Sequence, residues 1–280
     1  MSDRNAYTVN VGGRLISLSS PVVMGILNAT PDSFFAGSRV QTEEAVARRT
    51  DEIIAEGAAI IDVGACSTRP GGCLVSEDEE MARLRIALRV VRSCQPAAVV
   101  SIDTFRPMVA RMAVEEFGPV IINDVGQGAG TMATLPLPPD EVPPMFDMVA
   151  RLRVPYVLMS AEADIHAMLL SLSRQVQMLH ALGVPDIIID PGFGFGKTME
   201  QNYQVMAHLE RLQALRRPVL VGVSRKSMVT RLLGCDADGA LNGTTALHAV
   251  ALMKGAAVLR AHDVAAAVEV VRITKQIYDN

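Results

Sequence analysis

The chain has 280 residues, half of them hydrophobic and 20% charged, with a formal net charge of −4. This composition is typical of a globular protein with a substantial core. The slightly acidic balance, without a basic stripe, gives no electrostatic case for a nucleic-acid partner. No apolar run reaches the roughly 18 residues that a membrane-spanning helix needs, and the N-terminal segment lacks the apolar core of a signal peptide. We therefore expect a cytoplasmic protein with no membrane partner.

The cysteines indicate neither a zinc site nor a disulfide framework. Cys66, Cys73, Cys94 and Cys235 show no CxxC spacing. Free thiols in a reducing compartment are the expected state.

Short apolar, β-branched runs recur along the chain and alternate with segments of helical periodicity. The runs predict buried strands at residues 22–27, 59–63, 97–102, 120–122, 156–159, 187–189, 219–223 and 257–259. The helical segments are residues 41–56, 77–92, 164–182, 198–215 and 264–277.

Eight strands alternating with helices predict a (β/α)8 TIM barrel rather than an open sheet. Residues 7–16, with Gly12 and Gly13 at their centre, predict an N-terminal β-hairpin that closes the barrel bottom. Residues 126–144 are rich in Gly and Pro and are interpreted as a long loop rather than a domain boundary. We expect a single domain over residues 1–280.

Polar residues stand at the C-terminal ends of almost all the predicted strands, where barrel enzymes carry their active sites. They are Asn28, Asp62, Asp103, Asn123, Asp124, Asp190, Ser224, Arg225, Lys226, Arg260 and His262. A single Asp after a strand is usually a helix cap or turn residue. Helix caps alone do not account for polar residues at seven strand ends out of eight.

The residue types predict a ligand with two different ends. Asp103 and Asp190 accept hydrogen bonds when ionised and suit a ligand edge rich in N–H donors. Asn123 can both donate and accept, and suits a ligand edge that carries both donors and acceptors. Arg260 offers a planar fork matched to phosphate oxygens, and His262 adds a hydrogen bond close to a helix N-terminus. A small heteroaromatic molecule carrying a phosphate fits this pattern. The alternative for Arg260 is an ordinary salt bridge.

Three glycine- or proline-containing segments have more than one interpretation. Residues 190–198 resemble a phosphate-binding P-loop, but Pro191 stands where the spacing requires glycine, so Asp190 is the more plausible functional residue there. Residues 28–39 and 64–72 suit mobile loops that close over a substrate, or else ordinary connections.

The same segments resemble the motifs of dihydropteroate synthases, in the same order and over almost the whole chain. They are MGILNATPDSF (24–34), CSTRPG (66–71), SIDT (101–104), INDV (122–125), DPGFGFGK (190–197), GVSRKS (222–227) and RAHDV (260–264). The resemblance implies that p-aminobenzoate attacks the methylene of 6-hydroxymethyl-7,8-dihydropterin diphosphate, with Mg²⁺ required. Dihydropteroate and pyrophosphate are the products, and the pterin methylene becomes cationic as pyrophosphate departs.

The resemblance also implies a role for each site residue. The pterin pocket comprises Asp103, Asn123, Asp190, Lys226 and Phe195. Asn28, Arg260 and His262 form the pyrophosphate site, with Asn28 as the Mg²⁺ ligand. The p-aminobenzoate side comprises Phe34, Thr68, Arg69, Pro70 and Ser227. Lys226, Asp103, Arg260 and His262 are the expected catalytic residues, and a homodimer formed through barrel-side helices is expected.

The chain departs from the family pattern at two places. Cys66 stands where many relatives carry glutamate, and LMSA (158–161) replaces a Met-His-Met-x-Gly motif. These changes fall in the p-aminobenzoate loop and at the fifth-strand edge. STRPG (67–71) is intact, so sulfonamide sensitivity is the default hypothesis.

Three alternatives remain at this stage. A pterin-dependent methyltransferase of corrinoid pathways has no reason to retain the SRKS and TPDSF motifs. A pterin-binding paralogue without catalysis would usually lose loop or phosphate residues, whereas all are present here. A purely structural barrel is hard to reconcile with the polar strand ends.

Overall fold

The computed structural model describes residues 7–29, 39–66, 74–131 and 141–279. Eight parallel strands form its central sheet. They are β3 (Val22–Asn28), β4 (Ile60–Gly64), β5 (Val99–Asp103), β6 (Ile121–Asp124), β7 (Tyr156–Met159), β8 (Ile187–Asp190), β9 (Leu220–Val221) and β10 (Val258–Ala261). The hydrogen-bonded order is β8-β7-β6-β5-β4-β3-β10-β9. A bridge between Ile189 and Val219 joins β8 to β9, so the ring is nearly closed. The predicted TIM barrel is confirmed.

Helices connect the strands and cover the outside of the barrel. The described residues contain α1 (Arg39–Ala55), α2 (Glu77–Cys94), α3 (Pro107–Phe117), α4 (Pro144–Leu152), α5 (Ile165–Ala181), α6 (Met199–Ala207), α7 (Ser227–Leu233), α8 (Leu241–Met253) and α9 (Val264–Asp279). Within this part of the chain, none is long and apolar enough to cross a membrane.

Four of these helices, α3, α4, α7 and α8, were not identified by periodicity. Two of them begin at a proline, Pro107 and Pro144, which lacks the N–H that a first helical turn leaves unbonded anyway. Helix α4 therefore starts at the end of the segment interpreted as a loop. Helix α7 has only 7 residues, and α8 is apolar on most of its faces, so neither shows a clear amphipathic pattern.

The helix predicted at residues 198–215 is divided into two pieces. Thr198 and Gln201 form a capping box at the start of α6. Helix α6 ends at Ala207, and a 3-10 helix, Leu209–Leu215, continues to the turn before β9.

The predicted N-terminal hairpin is also confirmed. Strand β1 (Thr8–Val11) pairs antiparallel with β2 (Arg14–Ser17). Gly12 and Gly13 form the two-residue turn, both with positive φ (59° and 93°), which the tight turn requires.

Alternation along the strands separates two apolar clusters. The inner cluster combines hairpin residues with one residue from each barrel strand: Val9, Val11, Ile16, Leu18, Met24, Ile60, Val99, Ile121, Val157, Ile188, Leu220 and Val258. The intervening strand residues, such as Ile61, Ile102 and Ile122, face outwards and pack beneath the helices. The inner residues lie near the N-terminal strand ends, so the hairpin closes that end and the polar residues lie towards the opposite one.

Candidate active site

The inward-facing positions change from apolar to polar towards the C-terminal ends of the strands. Side chains two residues apart on a strand share one face. Two positions beyond the inner apolar layer, the inward side chains include Asp62, Ser101, Asn123, Asp190 and Arg260. Four positions beyond it they include Asn28, Asp103, Ser224 and His262. The fold therefore gathers most of the predicted site residues at the barrel mouth.

Arg260 forms the most extensive ion pair of this site. Its Nε donates to Oδ2 of Asp62 at 2.6 Å, and a terminal nitrogen donates to Oδ2 of Asp103 at 2.6 Å. The Asp62 side chain is completely buried and that of Arg260 is 18% exposed. Burial disfavours the charged guanidinium, but the two carboxylates outweigh it and keep the pKa of Arg260 above its ordinary value.

Asp62 links Arg260 to the amide of Asn123. The Asn123 Nδ2 donates to the same Oδ2 of Asp62 at 3.1 Å. In the described part of the chain, Oδ1 of Asp62 and Oδ1 of Asp103 are buried without a hydrogen-bond partner. Such acceptors are costly to bury unless a donor reaches them. A ligand edge with N–H donors would supply what the described residues do not.

The electrostatic environment makes the protonation of Asp103 sensitive to pH. Burial raises the pKa of Asp103 to about 7; Asp62 and Glu80 add to this effect, while Arg260 and Lys226 oppose it. Burial also raises the pKa of Asp190, against the opposing charge of Lys226.

The two residues before α7, Arg225 and Lys226, have different partners. Arg225 has φ 56°, an uncommon conformation for a residue with a side chain. Its guanidinium binds both oxygens of Asp263 at 3.0 and 2.6 Å, whereas Lys226 turns to the loop after β8. The Lys226 Nζ donates to the Phe193 carbonyl and lies 4.8 Å from the centre of the Phe195 ring. Burial lowers the pKa of Lys226 to about 8, opposed by Asp190.

Asn28 and His262 lie at the edge of the mouth. Both line a cleft of about 780 Å³ that extends along Arg49 and Arg225 towards the start of α9. Ser224 Oγ accepts from the His262 backbone N–H at 3.1 Å and lies 3.1 Å from His262 Nδ1. Either atom of this side-chain pair can be the donor, depending on the tautomer of the imidazole.

The predicted p-aminobenzoate side is described only in part. Phe34, Thr68, Arg69 and Pro70 lie outside the described residues. Ser227 is exposed and is the first residue of α7, directly after Lys226.

Sequence reasoning did not assign a role to Asp62 or to Ser224. Asp62 is an acid in the interior of an apolar strand, and this signal indicates a buried partner of opposite charge. Ser224 was noted only as part of a strand end, because its contact with His262 joins residues 38 positions apart. Polar residues within apolar runs were the available signal for both.

A charged pocket at the C-terminal mouth of a (β/α)8 barrel is the active-site arrangement of enzymes with this fold. Residues 24–262 match the family model described as pterin binding enzyme. The chain therefore belongs to the pterin-binding enzyme family.

Its relatives include the dihydropteroate synthase of Streptococcus pyogenes, 37% identical over 280 residues (95% of this chain, 98% of that protein). The Escherichia coli dihydropteroate synthase is 33% identical and 94% of each chain is covered. The solved structure of Xanthomonas albilineans dihydropteroate synthase with 4-aminobenzoic acid is 36% identical, with a TM-score of 0.87. The alignment covers 98% of this chain and 99% of the chain in that structure.

Replacing Asp62 by alanine is expected to lower the free energy of unfolding by about 3–5 kcal/mol, because it removes one partner of a buried ion pair. Denaturant titration measures this. The matched control is Asp147→Ala, which removes an exposed helical ion pair with Arg151 and should cost less than about 1 kcal/mol. Equal losses of unfolding free energy in the two variants would show that the buried pair stabilises the fold no more than the exposed pair does.

Proposed function

We propose that this chain catalyses the dihydropteroate synthase reaction. In it, p-aminobenzoate displaces pyrophosphate from 6-hydroxymethyl-7,8-dihydropterin diphosphate to give 7,8-dihydropteroate. The convergence of Asp103, Asn123, Asp190, Lys226 and Arg260 at one barrel mouth carries the proposal. The relatives aligned over nearly the full chain are dihydropteroate synthases, which supports it.

The pterin ring would bind among the acids and the amide. A pterin presents ring N–H and amino donors, and the free Oδ1 of Asp103 is an acceptor without a protein partner among the described residues. Asp190 adds a second buried carboxylate, and the Asn123 amide can both donate hydrogen bonds to the ring and accept them from it. Lys226 would donate to a ring acceptor, and the Phe195 ring beside it would pack on the ligand.

The diphosphate would lie towards Arg260, Asn28 and His262. Arg260 supplies a permanent positive charge, and the His262 ring supplies a hydrogen bond. Arg260 lies in β10 and His262 lies two residues before the start of α9, a 16-residue helix whose N-terminus favours an anion.

Mg²⁺ would bind at this edge as an ion shared with the substrate. The described residues contain no group of three or more His, Cys, Asp or Glu that could hold a metal. Mg²⁺ commonly takes one or two protein oxygens and completes its shell with substrate phosphates and water. Asn28 offers such an oxygen at the end of β3. When bound there, the ion would neutralise charge on the diphosphate.

The reaction needs charge stabilisation more than a nucleophilic side chain. The bond between the pterin methylene carbon and the diphosphate oxygen breaks, and its electron pair leaves with pyrophosphate. Arg260 and His262 stabilise that negative charge, while Asp103 favours the cationic pterin. The amine of p-aminobenzoate then forms the new C–N bond and loses a proton to solvent. Phe34, Thr68, Arg69, Pro70 and Ser227 would hold p-aminobenzoate.

The thiols agree with a cytoplasmic location for this reaction. Cys66, Cys94 and Cys235 are free, as in a protein of a reducing compartment.

Pyrophosphate release tests the function directly. Purified protein given dihydropterin diphosphate and Mg²⁺ should release pyrophosphate only when p-aminobenzoate is added, and mass spectrometry should detect dihydropteroate. Chelation of Mg²⁺ should stop turnover. Pterin binding without turnover would instead identify a non-catalytic binding protein. Methyl transfer in a separate assay that supplies a methylated pterin and a corrinoid acceptor would identify a methyltransferase.

Pterin affinity is expected to fall as pH decreases through about 7, because protonation removes the acceptor charge of Asp103. A titration with 6-hydroxymethylpterin at successive pH values measures this. The Asp103→Asn variant is the control, since its amide does not titrate and the acidic limb should disappear. An unchanged limb in that variant would assign the titration to another group, such as Asp190, and contradict the prediction.

We also propose a homodimer formed through α7, α8 and α9. These helices carry large exposed apolar side chains, namely Leu232, Leu233, Leu241, Val250, Met253, Ile273 and Ile277. Tyr278 Oη donates to the Met253 carbonyl at 3.0 Å, which brings the ends of α8 and α9 together. Large exposed apolar side chains grouped on neighbouring helices are typical of an interface.

A double variant, Met253→Glu with Ile277→Glu, is expected to convert the dimer to single chains, because it places charge in an apolar interface. Light scattering after size exclusion measures the mass. Leu170→Glu, at an exposed position of α5, is the control and should remain dimeric. Wild-type protein with the mass of one chain would refute the dimer.

A further inference from the structure

Lys197 ends the glycine-rich loop that follows β8, and its ammonium group donates to three backbone carbonyls. Nζ donates to Ser160 O at 3.0 Å, to Gly192 O at 3.0 Å and to Phe195 O at 3.3 Å. An ammonium group has three N–H donors. Because all three are engaged, Lys197 is not placed to bind a phosphate, although the motif superficially resembles a P-loop.

The loop backbone has a conformation that favours glycine at three positions. Gly192, Gly194 and Gly196 all have positive φ (65°, 82° and 63°). A Cβ at Gly192 would lie 2.2 Å from Ser160 O, so this position requires glycine. Buried carbonyls need donors, and on one side of the loop Lys197 provides them.

The opposite side of the loop faces the proposed pterin pocket. Asp190 begins the loop and accepts from the Gly192 N–H at 2.7 Å. The Phe193 carbonyl accepts from Lys226, and the Phe195 ring lies beside the same ammonium group. Two lysines therefore share the carbonyls of one loop: Lys197 binds those of Gly192 and Phe195, and Lys226 binds that of Phe193.

We propose that Lys197 is a positioning residue for pterin binding. Through its three carbonyl bonds it holds the loop so that Asp190, Phe195 and the carbonyl partner of Lys226 stand in the geometry that the pterin requires. This inference rests on the function proposed above. It assigns to Lys197 no contact with the substrate.

The positive charge of Lys197 matters for this role. Burial lowers the pKa of Lys197 to about 8, while Asp190 and Glu162 favour the charged form. Loss of the proton would leave two N–H donors for three carbonyls. The protonated form is therefore the one that satisfies the loop.

The test compares Lys197→Met with Lys254→Met. Methionine has a side chain of similar length to that of lysine but has no N–H donors. Lys254 Nζ also binds a backbone carbonyl, Ala207 O at 2.7 Å, together with Glu210 at 2.8 Å, but it lies far from the loop in sequence and on the protein surface. Lys197→Met is expected to weaken binding of 6-hydroxymethylpterin at least about tenfold, because buried carbonyls lose their donors. Lys254→Met should change it less than about twofold.

Kinetics separates positioning from general destabilisation. The KM for the pterin substrate should rise in Lys197→Met, whereas the KM for p-aminobenzoate at saturating pterin should stay near the wild-type value. Lys197→Arg, which keeps a charge and several donors, should recover part of the affinity and serves as the second variant if Lys197→Met does not fold.

Wild-type pterin affinity in Lys197→Met would overturn the inference, and so would equal increases of KM for both substrates. Failure of this inference and failure of the proposed function are distinguishable, because pterin binding is measured without turnover. If pterin binding falls in Lys197→Met as expected but the wild-type protein releases no pyrophosphate, the synthase proposal fails and the positioning role stands.

Discussion

The buried ion pair of Arg260 with Asp62 and Asp103 is the constraint on which the site depends. Burying these charges is unfavourable unless they are paired, and here one guanidinium satisfies one oxygen of each carboxylate. The pairing leaves the second oxygen of each carboxylate without a partner among the described residues. The same interaction therefore stabilises the barrel mouth and prepares it for a ligand with N–H donors.

The positions of these charges follow from strand periodicity. An apolar inner layer, closed from below by the hairpin, fills the barrel near residues such as Ile60 and Val258. Two residues further along the same strands stand Asp62 and Arg260, on the same face. The apolar layer excludes water from beneath the pair, which strengthens the electrostatic interaction and accounts for the raised pKa of Asp103.

Periodicity and strand-end chemistry predicted the barrel, the hairpin and the grouping of Asp103, Asn123, Asp190, Lys226 and Arg260. These features depend on local patterns and on a fold that brings parallel strand ends together. Two kinds of feature were missed for physical reasons. Helix α8 is apolar on most faces and gives no amphipathic signal. The role of Asp62 depends on a contact with a residue 198 positions away, which no local pattern contains.

The most direct test of this account is a crystal structure of the protein with 6-hydroxymethylpterin. The account predicts that the ring lies at the barrel mouth, with its N–H groups bonded to Asp103 and Asp190, Asn123 beside it, and Arg260 still held by Asp62. A pterin bound outside this mouth, or inside it without contact to either carboxylate, would contradict the account.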